Sequence, residues 1–136
     1  ATAGPTNGAA GSIAQVFILR NTSGTTCTMY GYPGLLRLDA AKKPMTTTVT
    51  RGSSVVVRDP GPSLVTLPAG ASASFGSGWS HVPTPSDPAS GCAASTYLEI
   101  TPPDETAYLL VPAAVDACNH GTIAVSAVVA GTGGPS

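Results

Sequence analysis

Short hydrophobic segments separated by turn residues make up most of this chain. Residues 12–20, SIAQVFILR, form a compact apolar run of the length expected for a strand buried on both faces. In residues 25–30, TTCTMY, polar and apolar positions alternate, which places Cys27 and Met29 on one face of a strand. Ten segments of this kind are strand candidates: 12–20, 25–30, 35–39, 46–50, 54–58, 63–67, 71–75, 95–101, 107–111 and 122–129.

Proline and glycine recur between these segments about every 8–12 residues, as they do in a sandwich or barrel. With 13 prolines in the chain, we expect no helix longer than about two turns. The pattern predicts one all-β domain over residues 1–136, a single antiparallel β-sandwich of seven to nine strands. Residues 1–11 and 131–136 consist mainly of small and turn-forming residues, so we expect a poorly ordered lead-in and tail.

The composition supports a β fold and argues against a nucleic-acid partner. Charged residues make up only 10% of the chain, compared with about 25% in average proteins, and the abundant Thr and Val suit a pleated surface. The net charge is −1 and the six basic residues are scattered, so we do not expect a nucleic-acid partner. No apolar run reaches the ~18 residues of a membrane span.

The chain starts at Ala1 without an initiating methionine or a signal peptide. This start indicates a processed or truncated form, and we expect a targeting segment or membrane tether upstream of Ala1.

Three cysteines, Cys27, Cys92 and Cys118, contain no C-x-x-C pair, so a structural zinc site has little support. If 95–101 and 107–111 form a hairpin, Cys92 and Cys118 lie level at its open end, which favours a disulfide between them. Cys27 would then be free, or paired with a segment upstream of Ala1. Three buried thiols, or a bridge from Cys27 to either other cysteine, are the alternatives that the sequence leaves open.

Several of these segments together are similar to a known family. The stretch NTSGTTCTMYGYPG at 21–34, followed by YLEITPPDETAYLLVP at 97–112 and a later cysteine, resembles the actinobacterial family catalogued as domain of unknown function 4232. The resemblance covers residues 11–129 and implies a secreted protein or lipoprotein with an immunoglobulin-like sandwich. The family pattern includes a further cysteine near the N-terminus, which this chain lacks. The resemblance implies a compartment and a fold but no activity.

Candidate catalytic residues are present without the context that catalysis needs. His81 and His120 could act with Asp59, Asp87, Asp104 or Asp116, and Gly76-Ser77-Gly78 loosely matches a nucleophile elbow. No helix is predicted after this serine, as an elbow would require. The adjacent carboxylates Asp104 and Glu105 follow two prolines and are interpreted as turn residues. We therefore expect a protein that is not an enzyme.

Candidate ligand-binding residues are similarly dispersed. A copper site could use His81, His120, Met29, Met45 and Cys27, but these residues lack local spacing, so neither a metal nor another cofactor is expected. Trp79 and His81 form the most site-like cluster, either as an exposed platform for a sugar or peptide or, more often for a single tryptophan, as core.

The sequence therefore predicts a non-catalytic module of the cell envelope or a secreted module, outside the cytoplasmic membrane, with a binding or structural role. The expected partner is an envelope protein or glycan. The alternative is a periplasmic carrier of a metal or small ligand.

Overall fold

The computed structural model describes residues 1–9, 11–54, 56–85, 87–88, 91–103 and 107–135. Within these residues the fold is all-β. It contains no helix, and so no helix that is long and apolar enough to cross a membrane. The strands are β1 (Thr2–Ala9), β2 (Ser12–Arg20), β3 (Cys27–Tyr30), β4 (Gly34–Leu38), β5 (Thr48–Arg51), β6 (Leu64–Leu67), β7 (Ser72–Ser80), β8 (Tyr97–Thr101), β9 (Leu109–Pro112), β10 (Thr122–Val125) and β11 (Val129–Ala130).

The strands form three sheets that share one apolar core. A six-stranded sheet has the order β1-β2-β7-β10-β5, with β11 also paired to β7, while β3-β6 and β4-β8-β9 form two smaller sheets. The core cluster takes residues from all three sheets, including Phe17 and Phe75 from the large sheet and Val65 and Leu98 from the small ones. The rings of Phe17 and Phe75 stack with centroids 5.7 Å apart.

The number of strands and their direction differ from the sequence prediction. The described residues contain eleven strands rather than seven to nine, partly because 2–9, expected to be an unstructured lead-in, pairs with β2 as β1. The prediction of a wholly antiparallel arrangement is also wrong, since β10 pairs parallel to β5. A parallel pair needs a long crossover, and here most of the domain lies between the two strands, so no local pattern announces it.

Strand β7 is longer than predicted. The segment 54–58 was predicted to be a strand, but its described residues, 54 and 56–58, are not in a strand. All nine residues of β7 pair with β2, from Ser72 opposite Arg20 to Ser80 opposite Ser12. Gly76 and Gly78, which follow the predicted strand 71–75, both lie within β7. A Cβ atom at Gly78 would lie 2.7 Å from methyl groups of both Val56 and Val57. The glycine therefore lets residues 56–58 cross the outer face of the sheet, the face opposite the core.

The turn after β2 explains the pattern Asn-Thr-Ser-Gly in the sequence. The buried Asn21 side chain donates from Nδ2 to the carbonyl oxygens of Thr25 and Leu67, at 2.8 and 2.9 Å. Its Oδ1 accepts hydrogen bonds from the amide and hydroxyl of Ser23. One asparagine thus closes the turn and ties it to β6.

The predicted hairpin is present in β8 and β9, which pair antiparallel from Tyr97 opposite Pro112 to Ile100 opposite Leu109. Beyond the paired residues the two chains stay adjacent, because the Ser95 amide donates to the Val115 carbonyl oxygen at 3.2 Å. Cys92 and Cys118 form a disulfide with Cα atoms 5.4 Å apart, which is the pairing expected from the sequence. Cys27 is free and partly buried.

Removal of this disulfide has a predictable cost. Cys92→Ser should lower the free energy of unfolding by about 2–5 kcal/mol, because the bond closes a loop with a sequence separation of 26. Cys27→Ser is the matched control and should cost far less, since Cys27 closes no loop. Urea denaturation of both variants measures the difference, and non-reducing peptide mapping checks the pairing. A linked peptide that contains Cys27 would contradict it.

Candidate functional site

Trp79 and His81 lie at the end of β7, but only one of them is exposed. The Trp79 side chain belongs to the core with 4% of its surface exposed, and its indole N–H donates to Asp116 Oδ1 at 2.9 Å. Of the two interpretations of Trp79 that the sequence allowed, the structure therefore shows a core residue and not an exposed binding platform. His81 is at the surface, with Nδ1 3.7 Å from Asp116 Oδ2. Asp116 thus connects the buried indole to the exposed imidazole.

A groove, defined here as two adjoining cavities that share Ser12, lies beside these residues. The first cavity has a volume of about 230 Å³ on the outer face of the six-stranded sheet. The second, of about 400 Å³, lies between His81 and the β1–β2 hairpin. The described residues that line the first cavity are Ser12, Thr50, Ser54, Val56, Gly78, Trp79, Ser80, Cys118, Asn119, Thr122 and Ala124.

The chemistry of the groove is neutral and polar above an apolar floor. Five of the residues that line the first cavity carry hydroxyl groups and one carries an amide, while none is charged. The floor is formed by two small residues, Gly78 on β7 and Ala124 on β10, which are paired across the two strands. Side chains of this kind can donate and accept hydrogen bonds without attracting ions.

Ser54 and Val56 form part of one wall of the groove, and Asp59, three residues after Val56, anchors this region through its carboxylate. Its Oδ2 accepts a hydrogen bond of 2.5 Å from the Tyr32 hydroxyl, and its Oδ1 accepts from the amides of Gly61 and Ala127. Burial raises the pKa of the Asp59 carboxyl, but the hydrogen bonds from Tyr32, Gly61 and Ala127 outweigh that effect and hold the pKa below its usual value. The same contact raises the pKa of the Tyr32 hydroxyl.

This anchor predicts acid-sensitive stability. Because the pKa of Asp59 is lower in the folded state, its contribution is present above the unfolded value of ~3.9 and is lost as the pH falls through the folded value. Tyr32→Phe removes one donor to the carboxylate, so the variant should be less stable at neutral pH and lose less stability on acidification. Urea denaturation at about pH 7 and about pH 3 measures this. Tyr108→Phe, at an exposed tyrosine, is the control, and equal acid dependence in wild type and Tyr32→Phe would contradict the assignment.

The catalytic candidates are mostly kept apart. Ser77 lies inside β7 with 1% exposure, and its hydroxyl donates to the Gln15 carbonyl oxygen at 2.7 Å, so it is not an elbow nucleophile. His81 meets Asp116, and Asp59 meets Tyr32. Asp104 and Glu105 lie outside the described residues.

The copper candidates do not converge either. Cys27 and Met29 pack against the core from β3, while Met45 and His120 line a separate cavity of about 320 Å³.

Sequence reasoning missed Arg37, which is buried beside that separate cavity with 4% exposure. Its Nη1 donates to the carbonyl oxygens of Ala93 and Val115 at 3.0 and 2.9 Å, and its Nη2 donates to that of Thr46 at 2.7 Å. Its Nε has no hydrogen-bond partner among the described residues. Burial lowers the pKa of the guanidinium, and Asp116 partly offsets this. Strand alternation was the available signal, since Arg37 follows the inward-facing Leu35 by two residues.

Comparison with known proteins gives one match. The model of a family described as domain of unknown function (DUF4232) matches residues 1–129. No curated protein and no solved structure matches the chain significantly.

Proposed function

Since the chain belongs to the DUF4232 family, whose description assigns no activity, its role has to follow from its geometry, and we propose that it is a non-catalytic binding module of the cell envelope or a secreted one. The observation that carries the proposal is the groove on the outer face of the six-stranded sheet, with its uncharged lining of hydroxyl and amide groups. Concave surfaces that place a few polar groups around an apolar floor are the usual binding sites of small ligands.

The groove suits a neutral polar ligand, and we assign it to a sugar unit of an envelope glycan. Hydroxyl side chains such as Thr50 and Ser80 match the donors and acceptors of a sugar, and the floor at Gly78 and Ala124 matches the apolar face of its ring. His81, on the second cavity, extends the polar surface. The other partner that could bind these hydroxyl and amide groups is a neutral polar loop of an envelope protein.

An extracytoplasmic location is part of the proposal. The Cys92–Cys118 disulfide is consistent with an oxidising compartment, where such bonds form and persist. The resemblance to secreted actinobacterial proteins and lipoproteins supports the same location. The shared core and the antiparallel hairpins support an immunoglobulin-like sandwich as the finer description of the fold.

Backbone amide shifts on titration with neutral sugars test the function. Sugars that bind should shift the amides of Ser12, Ser80 and Thr122, and Ser80→Gln should weaken binding at least about tenfold, or about 1.4 kcal/mol, by filling the groove. Thr66→Gln places the same side chain at an exposed position on β6, in another sheet, and should leave affinity unchanged.

Shifts confined to other surfaces, or equal loss in both variants, would overturn the groove as the binding site. Binding of envelope protein extracts but of no sugar in the panel would assign the groove to a protein loop, provided that Ser80→Gln abolishes it.

A further inference from the structure

Asp87, Cys92 and Cys118 form a cluster that adjoins the groove, because Cys118 also lines its first cavity. A carboxylate oxygen of Asp87 and the two sulfur atoms all lie within 4.8 Å of one another. The residues come from two separate loops, and the disulfide holds the loops together. The two sulfur atoms are bonded to each other, so reduction of this one bond would place two thiols beside the carboxylate.

The carboxylate is held in this position by a set of hydrogen bonds. Oδ2 accepts from the Thr84 amide at 2.7 Å and from the Thr84 hydroxyl at 2.8 Å. The Asn119 amide lies 3.1 Å from both carboxylate oxygens. Asp87 is thus fixed from its own loop and from the residue that follows Cys118.

A histidine and an arginine complete the surroundings. His120 lines the same cavity of about 320 Å³ as Asp87, Cys92 and Arg37. It lies in a left-handed turn, with φ of 55° at Asn119, 60° at His120 and 66° at Gly121. Asn and His are among the residues that adopt this conformation most readily, and the turn leaves His120 on the wall of the cavity that Cys92 also lines.

We propose that reduction of the Cys92–Cys118 disulfide opens a binding site for a Zn²⁺-like divalent metal, with Cys92, Cys118 and Asp87 as ligands and His120 as the fourth. Thiolate, imidazole and carboxylate are the ligands that Zn²⁺ takes in tetrahedral sites. Cys118 also lines the proposed sugar groove, but the other three ligands line a separate cavity, and the proposed metal binding goes beyond sugar binding.

The chemistry requires a dithiol reductant, either a small molecule or an exchange protein. Its two thiols lose two electrons and two protons and form a disulfide, while the Cys92–Cys118 bond accepts both and becomes two thiols. Metal binding then displaces two protons and forms two metal–thiolate bonds. In the reverse step, the disulfide form of the same reductant accepts two electrons from the two thiolates and two protons from water and becomes a dithiol. The Cys92–Cys118 bond forms again and the metal is released, so the disulfide controls metal binding.

Distances and charges both fit this assignment. Ligand atoms about 2.0–2.3 Å from one metal lie no more than about 4.6 Å apart, so they need a close grouping of the kind that the Asp87 carboxylate and the two sulfurs form. A divalent ion with two thiolates and one carboxylate has a net charge of −1. The Arg37 guanidinium on the same cavity wall would neutralise that charge.

Titration with Co²⁺ of the full chain carrying Cys27→Ser tests the site, because only Cys92 and Cys118 then remain as thiols. We expect one Co²⁺ bound per chain, with thiolate-to-cobalt absorption, only after reduction, and displacement by Zn²⁺. Asp87→Asn and His120→Gln should each weaken binding at least about tenfold. Asp39→Asn and His81→Gln, matched changes elsewhere, should not.

Three outcomes would overturn the proposal. They are equal Co²⁺ binding before and after reduction, affinities unaffected by Asp87→Asn and His120→Gln, and a reduced protein that neither binds the metal when folded nor regains its fold when metal is added. Circular dichroism follows the fold throughout, and recovery of structure on addition of Zn²⁺ to reduced, unfolded chain would support the site.

Discussion

Replacement of Gly121 by alanine is expected to lower the free energy of unfolding by at least about 3 kcal/mol. The added Cβ would lie 2.0 Å from the carbonyl oxygen of Thr46, which is backbone and cannot rotate away, and 2.6 Å from Nη2 of Arg37. Gly121 also has a φ of 66°, which alone costs a residue with a side chain about 1 kcal/mol. The loop at Thr46 and the turn after Cys118 therefore have to move apart.

Gly131→Ala separates these two effects. Gly131 also has a positive φ, of 93°, but an added Cβ there would meet no atom within 4 Å. It should cost only about 1 kcal/mol. Urea denaturation monitored by circular dichroism gives both values, and a Gly121→Ala cost equal to that of Gly131→Ala would show that the close approach to Thr46 is wrong.

Replacement of Arg37 by methionine is expected to lower the free energy of unfolding by about 2–4 kcal/mol. Methionine fills similar space but leaves the carbonyl oxygens of Thr46, Ala93 and Val115 without the guanidinium donors, and an unsatisfied buried polar group costs about 1–3 kcal/mol. Relief from burying a charge offsets part of this loss. Arg37→Lys should be intermediate, because one ammonium cannot match the planar fork that reaches all three oxygens.

Arg58→Met is the matched control, since Arg58 is exposed, and it should change stability by less than about 0.5 kcal/mol. Thermal and urea unfolding of the three variants measure the order. If Arg37→Met were as stable as Arg58→Met, the guanidinium would not be the tie between β4 and the loops around Cys92 and Val115.

Most strands could be predicted because their residues alternate or form short apolar runs between turn residues. Residues 12–20 were predicted with the bounds of β2, and the β8–β9 hairpin follows from the two segments that flank Pro102 and Pro103. The disulfide follows from that hairpin, since antiparallel strands keep the residues beyond their ends side by side. These features depend on neighbours in the sequence.

The features that the sequence did not predict depend on distant partners. From its sequence context, Gly78 could be interpreted as a residue that interrupts a strand. In the structure, methyl groups of Val56 and Val57 lie directly over it, and the absence of a side chain allows this close packing. The sequence gives no sign that Asp116 is more than a loop carboxylate. In the structure, Trp79 and His81 approach its two carboxylate oxygens, one each. Nothing local marks either role, because each partner lies tens of residues away.

The parallel pairing of β5 with β10 sets an order in which the domain can assemble. Residues 48–51 pair with residues 122–125, so this edge of the six-stranded sheet cannot form until the chain extends to residue 125. The β8–β9 hairpin is local and can close early, and with it the two cysteines come within bonding reach. Contacts between remote segments slow folding because the entropy of closing the long loop is lost before the contacts can stabilise the chain. During synthesis from the N-terminus, β5 would therefore stay unpaired until residues 122–125 emerge, and these residues would complete both this edge of the sheet and the floor of the groove.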